Sequence, residues 1–321
     1  MPAIGVALAA ALALPANAQD VDRAIEATTE TVTQSASRFG TLVSSDPWFW
    51  GHVIGAIVVV LSLVFADVIR PGSLERAGKR SLDPHSPILL LLCGATVIGA
   101  MMVGGAFVSL LKPEWRGVHE TTQATAVVMG LQYAFAIVIA VLLARLVATS
   151  AKSSGLAFTA RSLPWGLVGG VLAWPVVIAA SLGFVAVHRH LGYAQPDVLG
   201  HDTLRQISEN RNDPWAWGLA FMAIVAAPIV EEIVYRGFLQ SALLKMFGSP
   251  WVAIILTSTA FGAVHMVGAQ SVQWYSAATV GVLGLCCGIA FEHRKEIGVP
   301  IVMHVLFNLT NVVLALLIPR S

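Results

Sequence analysis

The stretch that decides the fold is Ala220-Phe-Met-Ala-Ile-Val-Ala-Ala-Pro-Ile-Val230, which continues directly as Glu231-Glu-Ile-Val-Tyr-Arg236. Its first part is apolar throughout, as expected of a helix that lies at membrane depth. Two adjacent carboxylates at that depth cost on the order of several kcal/mol unless they are paired or hydrated. Such a doublet indicates a proton relay, an ion site or a catalytic centre.

The composition of the whole chain supports a membrane location for this stretch. Hydrophobic residues make up 56% of the 321 residues and charged residues only 12%, whereas soluble domains carry about a quarter charged residues. The net charge of +1 argues against nucleic acid as a partner. Cys93 and the vicinal Cys286 and Cys287 lie in apolar runs, which favours packing roles over disulfides or metal knuckles. The lipid bilayer is therefore the expected partner, and the oligomeric state is not indicated.

Long apolar runs predict an all-α, polytopic membrane bundle of about eight transmembrane helices. We interpret 48–214 as an N-terminal four-helix membrane region and 215–321 as a catalytic membrane region. The predicted spans are 49–69, 88–111, 124–148, 165–187, 216–244, 251–267, 274–291 and 299–318.

The first residues resemble a secretory leader. An apolar core from Ile4 to Leu14 precedes Ala16-Asn17-Ala18, a small-x-small cleavage pattern. Residues 1–18 are therefore expected to be a signal peptide and 19–47 a polar tail. Because the first five residues contain no Lys or Arg, an uncleaved anchor is the alternative. A leader of this kind indicates a bacterial envelope protein, with the inner membrane as its location.

Loop charges give a topology. The 70–87 loop and the 145–164 region are basic, which places both in the cytoplasm by the positive-inside rule. The N-terminus, the 188–214 loop and the C-terminus then lie outside. Counting residues from the cytoplasmic ends of the last helices places the polar side chains of these helices in the inner half of the membrane. This predicts a cavity that opens to the cytoplasm.

The later spans carry further polar residues that we expect to share this cavity. His265 ends one apolar run, and His304 and Asn308 lie four residues apart on one face of the last helix. The same spacing stacks Glu232 with Arg236, whereas Glu231 points about 100° away from its neighbour. Arg236 can therefore neutralise Glu232, which leaves Glu231 without this ion pair and available for another role.

These residue types are suited to the activation of water. A buried carboxylate outside the ion pair can act as a general base, and a neutral histidine can share the proton of the water. A second histidine with an asparagine amide supplies donors for an oxyanion. The alternative is a divalent metal such as Zn²⁺, held by Glu231, His265 and His304. Residue types alone do not decide between the metal-dependent and metal-independent routes.

The motifs resemble those of the CAAX protease and bacteriocin-processing family, which includes the type 2 CAAX prenyl endopeptidases and Abi proteins. Glu231-Glu232-x-x-x-Arg236, Phe261-x-x-x-His265 and His304-x-x-x-Asn308 occur in the family's order, over about a third of the chain. The resemblance implies that Glu231 and His265 activate the hydrolytic water. It also implies that Glu232 and Arg236 support the site, and that His304 and Asn308 stabilise the oxyanion.

The predicted function is an intramembrane endopeptidase that acts on membrane-associated proteins or peptides. Family members have been described as zinc metalloproteases and as metal-independent glutamate proteases, so the cofactor stays open. Bacteria generally lack protein prenylation, so the CAAX substrate is not carried over to this chain. Two alternatives remain: a non-catalytic scaffold or bacteriocin-immunity protein of the same fold, and a proton- or ion-coupled transporter.

Overall fold

A computed structural model describes residues 47–78, 80–115, 121–150, 153–193, 199, 201–267 and 272–317. The predicted signal peptide and nearly all of the predicted polar tail lie outside these residues. Within them the structure is helical and contains no β-strand.

Nine helices of at least eight residues lie in the described part of the chain. In chain order they are α1 (Pro47–Phe65), α2 (Pro87–Leu111), α3 (Thr122–Ser150), α4 (Ser162–His190), α5 (Asp202–Glu209), α6 (Pro214–Phe247), α7 (Pro250–Val264), α8 (Trp274–Arg294) and α9 (Gly298–Leu317).

The predicted polytopic helical bundle is confirmed. Among the described residues, seven helices have the length and apolar composition needed to cross a membrane: α1 to α4, α6, α8 and α9. The remaining predicted span corresponds to α7, an apolar helix of 15 residues. At about 1.5 Å per residue, α7 is about 22 Å long, which is shorter than the roughly 30 Å hydrocarbon core. α7 is therefore too short to span the hydrocarbon core along its normal, and His265 follows directly after its last residue.

Proline and a capping side chain set the start of several helices. Ser86 and Ser249 accept hydrogen bonds from backbone N–H groups in the first turns of α2 and α7, and Asp213 does so for α6. A proline follows each cap directly, where its missing N–H removes no helical hydrogen bond. The residues at which α6 and α7 begin are thus set locally. α6 carries Glu231, and α7 is followed directly by His265.

Packing joins the early helices to those that carry the motifs. α2 and α3 pack along each other and against α6, while α4 packs against α1, α8 and α9. Gly166 and Gly169 of α4 face α9 so closely that a Cβ on either would come within 2.7 Å of a side chain there. Small residues of this kind let membrane helices approach closely. α9, which carries His304 and Asn308, is therefore held tightly against α4.

α6 is not a regular α-helix around the glutamates. It is π-helical at Met222–Ala226 and at Ile233–Gln240, and the short α-helical stretch Ala227–Glu232 lies between. Stretches of π-helix are rare and occur frequently at functional sites. Both glutamates thus lie at the end of the α-helical stretch, directly before the second π-helical one.

Candidate active site

A cavity of about 700 Å³ lies among α3, α4, α5, α6, α8 and α9. Glu231, His265, His304 and Asn308 all line it. The structure therefore brings the four predicted catalytic side chains together, although they come from three separate parts of the chain. Their catalytic roles remain predictions.

The location of this cavity differs from the predicted one. Its wall includes Arg189 in the last turn of α4, His201 just before α5, Val272 just before α8 and Ala315 near the end of α9. These positions lie at the helix ends opposite the basic 70–87 and 145–164 segments. Under the predicted topology the cavity therefore opens to the outside, and the expectation of a cytoplasmic opening is wrong for that topology. Residue counting failed because His265 lies beyond the last residue of α7, about 22 Å from the start of that helix, which is past the middle of a hydrocarbon core about 30 Å thick.

Glu232 and Arg236 form the predicted i, i+4 ion pair. Glu232 Oε2 lies 3.1 Å from Arg236 Nε, and both side chains are fully buried. Arg236 also donates a hydrogen bond from Nη2 to the carbonyl oxygen of Gly284 on α8, at 3.1 Å. A buried charge that loses its partner is strongly destabilising. This pair accordingly fixes α6 against α8.

His304 lies between the two glutamates. Its Nδ1 is 2.9 Å from Glu232 Oε1, and its Nε2 is 3.8 Å from Glu231 Oε2. The sequence had suggested His265 as the partner of Glu231 and placed His304 with Asn308, so this bridge was missed. Because the ionised Glu232 carboxylate only accepts hydrogen bonds, the Nδ1 of His304 carries a hydrogen.

Glu231 differs from Glu232 in its access to the cavity. Its side chain is 23% exposed, and its contact with His304 is longer than a hydrogen bond. A carboxylate in this position can bind a water molecule and still interact electrostatically with the neighbouring His304. Glu231 is therefore accessible to a water molecule in the cavity, whereas the fully buried Glu232 is not.

His265 is oriented by its own helix. Its Nδ1 lies 2.7 Å from the carbonyl oxygen of Phe261, one turn earlier. Since a carbonyl oxygen can only accept, Nδ1 carries the hydrogen and Nε2 keeps its lone pair. The unprotonated nitrogen can accept a proton from water.

Asn308 is oriented by α6. Its Nδ2 donates to the carbonyl oxygen of Ala223, which lies in the first π-helical stretch, at 2.7 Å. An amide nitrogen has two hydrogens, so one remains to donate to a bound group. This contact links α9 to α6 on the cavity wall.

Phe261 was named in the motif without a role of its own, and the structure shows that its ring makes several contacts in the site. The guanidinium of Arg236 lies 4.6 Å from the centre of its ring. The rings of His265, His304 and Tyr235 all meet it edge-on, with centroids 5.0, 5.7 and 4.9 Å away. One buried aromatic ring therefore contacts the side chains that surround the glutamates. Its spacing of four residues from His265 is the signal that could have indicated this role.

A second buried polar group lies further along α6, and we call Arg80, Gln240, Ser241 and Glu292 the closed cluster. Arg80 binds Glu292 through two hydrogen bonds of 2.7 and 3.1 Å, and it also donates to Ser241 Oγ at 2.7 Å. Gln240 donates to Glu292 at 2.8 Å, and the ring of Phe291 covers the Arg80 guanidinium. The sequence had counted Arg80 as a loop charge. Because Arg80 is paired with Glu292, it adds no free positive charge to the 70–87 loop.

The three residues suggested as zinc ligands were tested for fit. Among the described residues, no three His, Cys, Asp or Glu side chains come together in an arrangement that could hold a metal ion. Glu231, His265 and His304 thus do not form a metal site in this structure, and the zinc route stays a prediction.

The fold and the cavity define a polytopic helical membrane protein with a buried carboxylate–histidine site. Residues 213–310 match the family model described as type II CAAX prenyl endopeptidase Rce1-like. This match contains all three motifs and confirms the resemblance of residues 213–310 to the CAAX protease and bacteriocin-processing family, a family of proteases. No curated protein and no solved structure matches the chain.

Proposed function

We propose that this protein is an intramembrane endopeptidase that cleaves membrane-associated peptides with a water molecule activated by Glu231. The observation that carries the proposal is the different state of the two adjacent glutamates. Glu232 is fully buried and paired with Arg236, whereas Glu231 is partly exposed to a cavity that also contains His265. A purely structural doublet would not need one member to face a cavity.

The proposed reaction begins with a water molecule beside Glu231. The Glu231 carboxylate takes one proton of the water, and the Nε2 lone pair of His265 orients the same molecule. The resulting hydroxide attacks the carbonyl carbon of the peptide bond. The free N–H of Asn308 and the ring of His304, charged when both its nitrogens carry hydrogen, stabilise the oxyanion. The C–N bond then breaks, and the proton held by Glu231 passes to the leaving amine.

The walls of the cavity indicate the kind of substrate. Most of their surface is apolar, and polar side chains such as Ser181, Thr279 and Asn311 are interspersed in it. An extended apolar peptide segment fits this surface, because its side chains are buried while its backbone finds donors and acceptors. We therefore propose hydrophobic peptides or the ends of membrane helices as substrates.

The proposed location is the inner membrane of a bacterium, with the cavity open to the outer side. The basic 70–87 and 145–164 segments support this orientation. A variant in which the three native cysteines are replaced by alanine would be labelled with a membrane-impermeant maleimide in intact spheroplasts. We expect Glu209→Cys, on the cavity side, to be labelled and Glu75→Cys, on the basic side, to be protected. The reverse pattern would contradict the orientation and leave the proposed reaction untouched.

The activity itself is tested by comparing cells that produce the wild-type protein with cells that produce Glu231→Gln. Mass spectrometry of membrane peptides should show uncleaved substrates in the variant, and the matched fragments only in the wild type. The purified variant should cleave the same peptide about 10³-fold more slowly, because it lacks the general base. Glu75→Gln, an exposed carboxylate on the opposite face, is the control and should cleave normally. Identical peptide patterns for wild type and Glu231→Gln would contradict the proposal.

A further inference from the structure

A third histidine lines the cavity and lies outside every motif and outside the segment matched by the family model. His201 precedes α5 and belongs to the same cavity wall as Glu231 and His265. Its position in a connecting segment gave no signal in the sequence. We infer that His201 is a substrate-binding residue, which donates its Nε2–H to a backbone carbonyl oxygen of the bound peptide. The inference rests on the proposed function, because it needs a peptide in the cavity.

The hydrogen on Nε2 follows from the local geometry. The backbone N–H of Thr203 donates to His201 Nδ1 at 3.2 Å, so that nitrogen uses its lone pair as the N-cap of α5. A neutral imidazole then carries its single hydrogen on Nε2. Burial lowers the pKa of His201, and His265 lowers it further, while Asp202 and Glu231 raise it. The neutral donor form therefore fits the surroundings of the ring.

The ring of His201 is held in place before any peptide arrives. Its backbone N–H donates to Leu199 O at 2.6 Å, and its carbonyl accepts from Arg205 N at 3.2 Å. α5 itself is fastened to α9, because Ser208 Oγ donates to the carbonyl oxygen of Ala315 at 2.9 Å. A preorganised donor of this kind loses little entropy on binding.

The cavity also explains why a donor is needed at this position. A peptide in an extended conformation brings carbonyl oxygens into a mostly apolar chamber, where an unpaired acceptor is unfavourable. His201 lies at the start of α5, which packs against α6 and α9, and it lines the same cavity as the motif residues. It takes no part in the proposed reaction, so a donor there binds the peptide backbone without acting on the bond that is cut. Its loss should therefore weaken binding without changing the chemical step.

Two substitutions separate substrate binding from helix capping. In His201→Asn the shorter side chain keeps an oxygen for the Thr203 N–H, because Asn is a favoured N-cap residue, but it removes the Nε2–H donor. In His201→Ala both functions are lost. We expect His201→Asn to keep the thermal stability of the wild type and to raise KM about tenfold at unchanged kcat. His201→Ala should show the same change in KM together with lower stability.

Binding is measured separately from cleavage with a fluorescein-labelled octapeptide of alternating leucine and alanine. The Glu231→Gln protein in nanodiscs should bind this peptide without cutting it, and adding His201→Asn should raise the Kd about tenfold. Equal Kd values, or no binding to either protein, would overturn the inference. So would a His201→Asn enzyme with wild-type KM, since capping would then be the whole role of the ring. Peptide binding that depends on His201 in a protein with no peptidase activity would refute the proposed function and leave this inference standing.

Discussion

Two groups of buried charges lie along α6, and they differ in how completely they are paired. In the closed cluster, Arg80 and Glu292 satisfy each other through two hydrogen bonds, and Gln240 and Ser241 add to them. In the cavity group, Arg236 pairs with Glu232, and His304 extends the contact toward Glu231, which remains partly exposed. Burial and charge alone therefore do not mark a catalytic site. What marks it is a charged group that is incompletely paired and reachable from a cavity.

The two groups are also physically connected. Ser241 Oγ, which accepts a hydrogen bond from Arg80, lies 3.3 Å from the backbone carbonyl of Arg236 and donates to it. The closed cluster thus supports the same π-helical stretch that carries Arg236. Changes in the closed cluster should lower stability and leave activity intact. Changes in the cavity group should lower activity.

The largest effect is expected from Arg236→Leu. This change leaves the Glu232 carboxylate buried with His304 as its remaining ionic partner, which should destabilise the protein by about 3–5 kcal/mol. Peptidase activity should be lost as well, because Glu232 would no longer hold His304 in place. Thermal unfolding in detergent and a peptide-cleavage assay measure the two effects. A stable and active Arg236→Leu protein would show that the Arg236–Glu232 ion pair does not stabilise the site.

Arg80→Leu should give a comparable loss of stability, about 3–5 kcal/mol, because it leaves Glu292 buried without its guanidinium. The remaining folded protein should keep a kcat within about twofold of the wild type, since Arg80 does not line the cavity. Activity is normalised to the folded fraction, which is measured by gel filtration. A much lower kcat in that fraction would show that the closed cluster takes part in catalysis.

A smaller effect is expected from Phe261→Leu, and Phe291→Leu is its matched control. Both rings are fully buried and both face an arginine guanidinium. Each change should lower the free energy of unfolding by about 1–3 kcal/mol. Only Phe261→Leu should also reduce kcat/KM, by about tenfold, because its ring contacts His265 and His304. Equal activity of the two variants would mean that Phe261 is a packing residue and nothing more.

The smallest effect is expected at an exposed ion pair. Arg76 binds Asp67 through two hydrogen bonds at the surface, and this hydrogen bonding lowers the pKa of Asp67. A lowered carboxyl pKa contributes stability above the usual carboxyl range and loses it as the pH falls through the lowered value. This contribution should therefore be constant between about pH 6 and 8, and because both side chains are exposed to solvent, screening should keep it close to zero. Asp67→Asn should leave the midpoint of thermal unfolding unchanged at pH 7, and a clear drop would show that solvent screens the pair less than expected.

Local features of the chain were predictable from the sequence. Apolar length predicted the helices, and i, i+4 spacing predicted the pairing of Glu232 with Arg236. These features depend on residues that are close together in the chain. The same local spacing correctly separated Glu231 from its neighbour.

The features that were missed depend on distant residues. Arg80 and Glu292 lie 212 positions apart, and His304 meets Glu232 across 72 positions. The side on which the cavity opens depends on how α7 is placed. The position of His201 in the cavity wall depends on how α5 packs against α9. None of these contacts leaves a periodic pattern in the chain, because each arises only when the helices pack together.

The central claim is that Glu231 performs chemistry while Glu232 holds the fold, and paired substitutions test it directly. Glu231→Gln and Glu232→Gln make the same chemical change, from a carboxylate to an amide, at adjacent positions. Thermal unfolding and peptide cleavage would be measured for both in the same detergent. We predict that Glu231→Gln keeps the unfolding midpoint of the wild type and loses about 10³-fold in kcat, while Glu232→Gln unfolds at a clearly lower temperature. A Glu231→Gln protein that cleaves at the wild-type rate would contradict the account.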